Sequence, residues 1–127
     1  MLLLLVAVGG AAGAVARYAI GGWIQVRAGA GFPLGTLVVN VTGSLLLAFL
    51  VRFLEGMAAP PEWRGFLAIG FCGAYTTFST FGYESVQLMQ GGQWNRATVY
   101  VMSSVLLSLL AILVGFRLAQ IALTARG

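Results

Sequence analysis

Gly73-Ala74-Tyr75-Thr76-Thr77-Phe78-Ser79-Thr80-Phe81 places a cluster of hydroxyls and two phenylalanines inside an otherwise apolar run. Polar atoms are expensive in such surroundings unless they are paired or put to use. Gly70 and Gly73 lead into the cluster. Ser and Thr side chains compete with helical hydrogen bonding, so the stretch favours local unwinding. Unwound backbone at membrane depth is tolerated only when it is buried in protein or lines a cavity. Exposed carbonyls at such a break coordinate a bare monovalent cation, whereas N–H and hydroxyl groups suit an anion. The alternative is a kinked helix bridged by its own Ser and Thr side chains, and the residues alone leave both readings open.

The surrounding chain belongs in lipid. Of 127 residues, 60% are apolar and only 8% charged, with a mean hydropathy of +0.96. Soluble domains carry roughly a quarter charged residues. Apolar runs fall at about 2–24, 34–54, 65–89 and 97–122, each near or above the ~20 residues needed to cross the hydrocarbon core. Gly29, Gly31 and Pro33 punctuate the first connection, Gly56, Pro60 and Pro61 the second, and Gly91 and Gly92 the third. No connection is long enough for another domain. The expectation is a single all-α integral membrane domain over residues 1–127, with four transmembrane helices and the third broken near its middle. The run from Met1 to Val8 lacks a basic leader and continues through Gly9, Gly10, Gly13 and Arg17, so it reads as the start of a retained spanning helix.

Charge and composition exclude several functions. Seven arginines face Glu55, Glu62 and Glu84, with no Lys, His or Asp, for a net charge of +4. Most arginines lie near the ends of apolar runs, which suits headgroup anchoring rather than a nucleic-acid face. Without His or Asp, no ordinary metallo-hydrolase cluster can assemble, and no enzyme is expected. Cys72 is the only cysteine, which rules out an intrachain disulfide and leaves a small buried apolar residue.

Arg52, Arg64, Arg117 and Arg126 fall on one side, against Arg27 and Arg96 on the other with Arg17 deeper in the first span. This near-balance gives the positive-inside rule almost nothing to act on. Insertion in both orientations, with opposed copies pairing as an antiparallel homodimer, is one reading; a single orientation selected by a small bias is the other. Four short helices leave little room for a pathway inside one subunit, which favours assembly. Gly9 and Gly13 form a GxxxG pair beside Ala12 and Ala16, a close-packing surface whose partner the motif does not identify.

Thr36, Asn40 and either Gly43 or Ser44 share one face of the second span. The Asn40 amide either offers N–H donors to an anion or hydrogen-bonds a neighbouring helix. Phe78 and Phe81 share a face if the helix resumes there; they pack as core or turn positive ring edges toward an anion. That face extends toward Glu84, which caps a pathway or pairs with Arg. Tyr100, Ser104 and Ser108 repeat every four residues in the last span, facing a track or a partner helix. Arg17 must snorkel, find a carboxylate or bond to carbonyls, as an anchor or as an attractor of anions at a vestibule.

Three stretches together, Gly13 to Tyr18, Gly35 to Ser44 and Gly70 to Phe81, resemble the CrcB/Fluc family of fluoride channels, and the resemblance covers nearly the whole chain. It implies a dual-topology antiparallel homodimer with two pores, passively exporting toxic cytoplasmic fluoride across a bacterial inner membrane. By the same resemblance, Asn40 matches the pore asparagine, and Phe78 and Phe81 the residues whose ring edges contact fluoride. Ser79 and Thr80 match part of a polar track ending toward Glu84, with Tyr100, Ser104 and Ser108 as a looser correspondence. Arg17 matches a vestibule arginine, and the carbonyls of Gly73 and Thr76 a central structural sodium shared between subunits. Two rivals remain: a proton-coupled exporter of organic cations, which needs a mid-span carboxylate, and a purely structural helical-bundle subunit.

Overall fold

The computed structural model describes all residues, Met1–Gly127, and is entirely helical. Helix α1 spans Leu2–Ala28 and ends at Gly29, whose φ of 82° is a left-handed conformation that glycine adopts without penalty. Helix α2 spans Leu34–Gly56. The third crossing is made in two pieces, α3 over residues 61–75 and α4 over Phe78–Gln90. Helix α5 spans Trp94–Arg126.

Pro61 opens α3 at a position where a missing N–H costs nothing. Its middle, Arg64–Cys72, is wound as a π-helix, and the ladder ends with the Gly73 N–H reaching the Ala68 carbonyl five residues back. Thr76 and Thr77 then take extended backbone angles, with ψ of 157° and 119°. The Thr77 hydroxyl accepts from the Thr80 N–H at 3.2 Å, capping the start of α4. The hydroxyl-rich stretch thus both ends one helix and starts the next.

Glycines set the packing. A Cβ on Gly9 would press into the Phe66 carbonyl, and one on Gly13 into the Phe71 carbonyl. The GxxxG pair is therefore spent inside the subunit, letting α1 lie against the backbone of α3. Gly115 brings α5 onto α2 at Leu45 and Ala48 in the same way. Cys72 is wholly buried.

Helices α1, α2 and α5 are each long and apolar enough to span a membrane. The two pieces of the third crossing manage it only together. Just 19 of 127 residues are buried, and large apolar side chains such as Leu3, Val26 and Leu113 point outward along the helices. Such faces are stable only against lipid or another apolar surface.

Candidate functional site

One face of α2 organises the break. Thr36 donates to Glu84 Oε1 at 2.6 Å. One turn on, Asn40 Nδ2 donates to the Thr77 carbonyl at 3.0 Å, while Asn40 Oδ1 accepts the Thr77 N–H at 2.7 Å. A further turn on, Gly43 leaves room for the Tyr75 ring and the Thr76 methyl group. Three positions at helical spacing thus each meet a different part of the third crossing.

The break is held from its other side by Arg17, whose Nε donates to the Ala74 carbonyl at 3.0 Å. A guanidinium inside a span finds a carbonyl there, one of the few ways to keep such a charge at depth. Because the Thr77 N–H goes to Asn40, it does not close a helical bond to Gly73. The Thr76 carbonyl accepts no bond from the backbone. Gly73 and Thr76 thus leave oxygen atoms free beside the break, on a surface where Gly73 is exposed.

Two grooves flank these residues. The narrower, of about 300 Å³, is lined by Asn40, Ser44, Thr76, Thr77, Phe78, Phe81, Ser104 and Ser108 among others. The wider, of about 910 Å³, includes Arg17, Gln25, Thr36, Thr77, Thr80, Glu84 and Gln87. Thr77 borders both. The Phe78 and Phe81 ring centroids are 5.7 Å apart, and Phe81 lies 5.4 Å from Tyr100. Phe78 is 84% exposed, so its ring stands on the outer face of a single copy.

The last-span stripe holds the least expected feature. Tyr100 is fully buried and Ser104 nearly so, yet neither hydroxyl finds a hydrogen-bond partner in the protein. An unpaired buried hydroxyl costs about 1–3 kcal/mol. Adjacent Ser103 satisfies itself by donating back to the Val99 carbonyl. Two unpaired donors at i and i+4, Ser104 at the edge of the narrow groove and Tyr100 buried one turn before it, are arranged for something other than the helix.

Asn40, Phe78, Phe81, Ser104 and Ser108 therefore come together in the narrow groove, with Tyr100 buried against Phe81. Thr80, Glu84 and Arg17 gather in the wide one. Ser79 lines neither; it is exposed on the first turn of α4, with its hydroxyl 3.3 Å from that of Thr77. Thr77 carries more of the geometry than the sequence reading assigned to it, as cap, as partner of Asn40 and as the wall between grooves. Its place before a resumed helix and three residues ahead of Thr80 was the available signal.

The family profile described as CrcB-like protein, Camphor Resistance (CrcB), matches residues 4–116. The chain is 49% identical over 119 residues to the fluoride-specific ion channel FluC of Rhizobium meliloti (strain 1021), covering 93% of this chain and 95% of that one. It is 48% identical over 116 residues to a FluC of Thermus thermophilus, covering 91% of each chain. Identity to the FluC of Thermococcus kodakarensis is 42% over 120 residues, covering 94% of this chain and 96% of that one. The matched residues, 4–116, reach into all four membrane crossings, including the one broken at Thr76 and Thr77, and leave outside only the first residues of α1 and the last turns of α5. The chain is a multi-pass membrane protein and belongs to the CrcB-like family.

Proposed function

We propose that this protein is a fluoride-selective channel of the bacterial inner membrane that passively exports cytoplasmic fluoride and so lowers its toxicity. The observation that carries the reading is the buried, unpartnered Ser104 hydroxyl in a groove shared with Asn40, Phe78 and Phe81, with the equally unpartnered Tyr100 hydroxyl buried one turn away behind Phe81. Fluoride is small and tightly hydrated, so a narrow path must replace its water with donors yet hold it loosely enough for release. Tyr100, Ser104 and Ser108 supply O–H donors at one-turn intervals. Asn40 supplies the second N–H of its amide, since only one is committed to the Thr77 carbonyl. Phe78 and Phe81 offer positive ring edges while keeping water out. Thr80 and Glu84, in the wide groove with Arg17, form the mouth where ions meet water, and Ser79 borders the path through the Thr77 hydroxyl. That the relatives are named fluoride-specific ion channels supports the same ion.

The working unit in this reading is an antiparallel homodimer of oppositely inserted copies. Its support is the exposed Phe78 ring, the open sides of both grooves and the near-balanced arginines. The carbonyls of Gly73 and Thr76 from each copy would hold a structural Na⁺ where the two breaks meet. The donor set fits: two free main-chain oxygens and no carboxylate suit a monovalent cation. When bound, the ion supplies a fixed positive charge that holds the extended segments together.

Glu84 argues against the proton-coupled exporter. It sits eight residues past Thr76, roughly 12 Å along the helix from the break, and it accepts from the Thr36 hydroxyl. Vesicles containing only this protein test the point. Fluoride release should proceed at the same rate with and without a proton gradient; release that needs the gradient overturns the channel reading.

A further inference from the structure

Phe32 lies in the short connection between α1 and α2, away in sequence from both the hydroxyl-rich break and the last-span stripe. Its ring meets Tyr100 edge-on, with centroids 5.6 Å apart and planes at 86°. Phe81 covers Tyr100 from elsewhere at 5.4 Å. The Tyr100 hydroxyl is thereby sealed from water and makes no hydrogen bond of normal geometry, although the Thr36 hydroxyl and the Glu84 carboxylate lie near it.

The connection that carries Phe32 is strapped in place. Gln25 Nε2 donates to the Gly29 carbonyl at 2.6 Å and the Phe32 carbonyl at 2.9 Å, and Gln25 Oε1 accepts the Gly35 N–H at 3.0 Å. Arg96 Nη1 ties the Gly31 carbonyl to the start of α5 at 3.0 Å. A turn of this length does not need four side-chain bonds merely to reverse direction. They fix where the Phe32 ring sits.

We propose that Phe32 seals the Tyr100 end of the track and is a specificity-determining residue there, with Gln25 as its positioning residue. The ion's identity rests on the fluoride reading above; the seal itself does not. Fluoride gains compensating O–H bonds from Tyr100 and Ser104 as it sheds water. A larger anion arriving with its water attached finds no room between the Phe32 and Phe81 rings. Without Phe32, water reaches Tyr100, dehydration is no longer enforced at that end, and the larger anion is admitted.

The test uses the full chain in Phe32→Ala and Phe32→Leu forms, with two readouts. The first is chloride against fluoride release from vesicles. The second is independent of flux: 3-fluorotyrosine placed at position 100, with its ¹⁹F resonance compared in H₂O and D₂O. Expected for Phe32→Ala is at least a tenfold rise in the chloride-to-fluoride release ratio and a solvent isotope shift absent from the parent. Phe32→Leu keeps apolar volume and should stay within threefold of the parent with little isotope shift. An alanine variant that folds, retains the parent's selectivity and shows no isotope shift overturns the proposal. So does a leucine variant as leaky as alanine. Should the parent pass no fluoride, the channel reading fails while the isotope shift still decides whether Phe32 seals Tyr100.

Discussion

Asn40 and Thr77 are locked in a two-point pair: the side-chain amide accepts the Thr77 N–H at 2.7 Å and donates to the Thr77 carbonyl at 3.0 Å. One side chain thus takes the place of the helical ladder where the third crossing comes apart. Asn is suited to this, because its amide presents a donor and an acceptor side by side, as the main chain does. The same amide keeps a second N–H, and it borders the narrow groove. Holding the break and meeting an ion are therefore compatible tasks for one residue.

Replacing Asn40 with Asp should suppress fluoride release to background. The carboxylate still accepts from the Thr77 N–H, but it turns a second oxygen toward the Thr77 carbonyl and places negative charge beside an anion path. Loss of the donor should also lower stability by about 1–3 kcal/mol, read as a drop in Tm in detergent. Normal selectivity in this variant would remove Asn40 from the pathway.

Phe78→Ile should abolish or strongly slow fluoride release while dimers persist, because isoleucine removes the ring edge but keeps an apolar side chain at a position that is exposed on the single copy. Release rates together with mass measured by light scattering separate the two effects. Unchanged release from a correctly assembled variant would dismiss the ring-edge contact.

The glycine positions of α1 should differ sharply among themselves. Gly13→Val must displace the Phe71 backbone, an overpacking that typically costs about 1–3 kcal/mol or more. Gly10→Ala meets nothing closer than 3.8 Å and removes a flexible residue from a helix interior, so it should be neutral or stabilising by about 0.5–1 kcal/mol. Thermal melts of the two variants check this. Equal Tm values would mean that α1 does not lie on α3 as described.

Single cysteines placed in the 29–33 and 57–60 connections, with Cys72 replaced by Ala, should each label from both sides of the membrane. An impermeant maleimide applied to intact and opened cells reads this out. The arginine count divides almost evenly between the sides, so neither orientation is favoured. Labelling from one side only would rule out opposed copies.

The four crossings were legible because apolar length is a coarse and robust signal, and the break because Thr76 and Thr77 follow glycines in a run that cannot easily stay helical. Helix ends were less legible. Helix α1 continues to Ala28 and α5 to Arg126, beyond the apolar runs ending near 24 and 122, because Gln25, Arg27 and Arg126 are all compatible with helix outside the hydrocarbon. The π-helical winding of α3 has no signature in composition or period. Phe32 read only as part of a turn. Its importance comes from a contact with Tyr100 across 68 residues of chain, set by Gln25 folding back onto the loop, and no local pattern announces such a contact.

The sharpest single measurement follows fluoride and chloride together, with two ion-selective electrodes, as vesicles loaded with both potassium salts are given a potassium ionophore. Uncharged donors and ring edges in a narrow dry passage should release the trapped fluoride within seconds to minutes and leave chloride inside. Fluoride retained by folded, reconstituted protein, or chloride released alongside it, would contradict that passage.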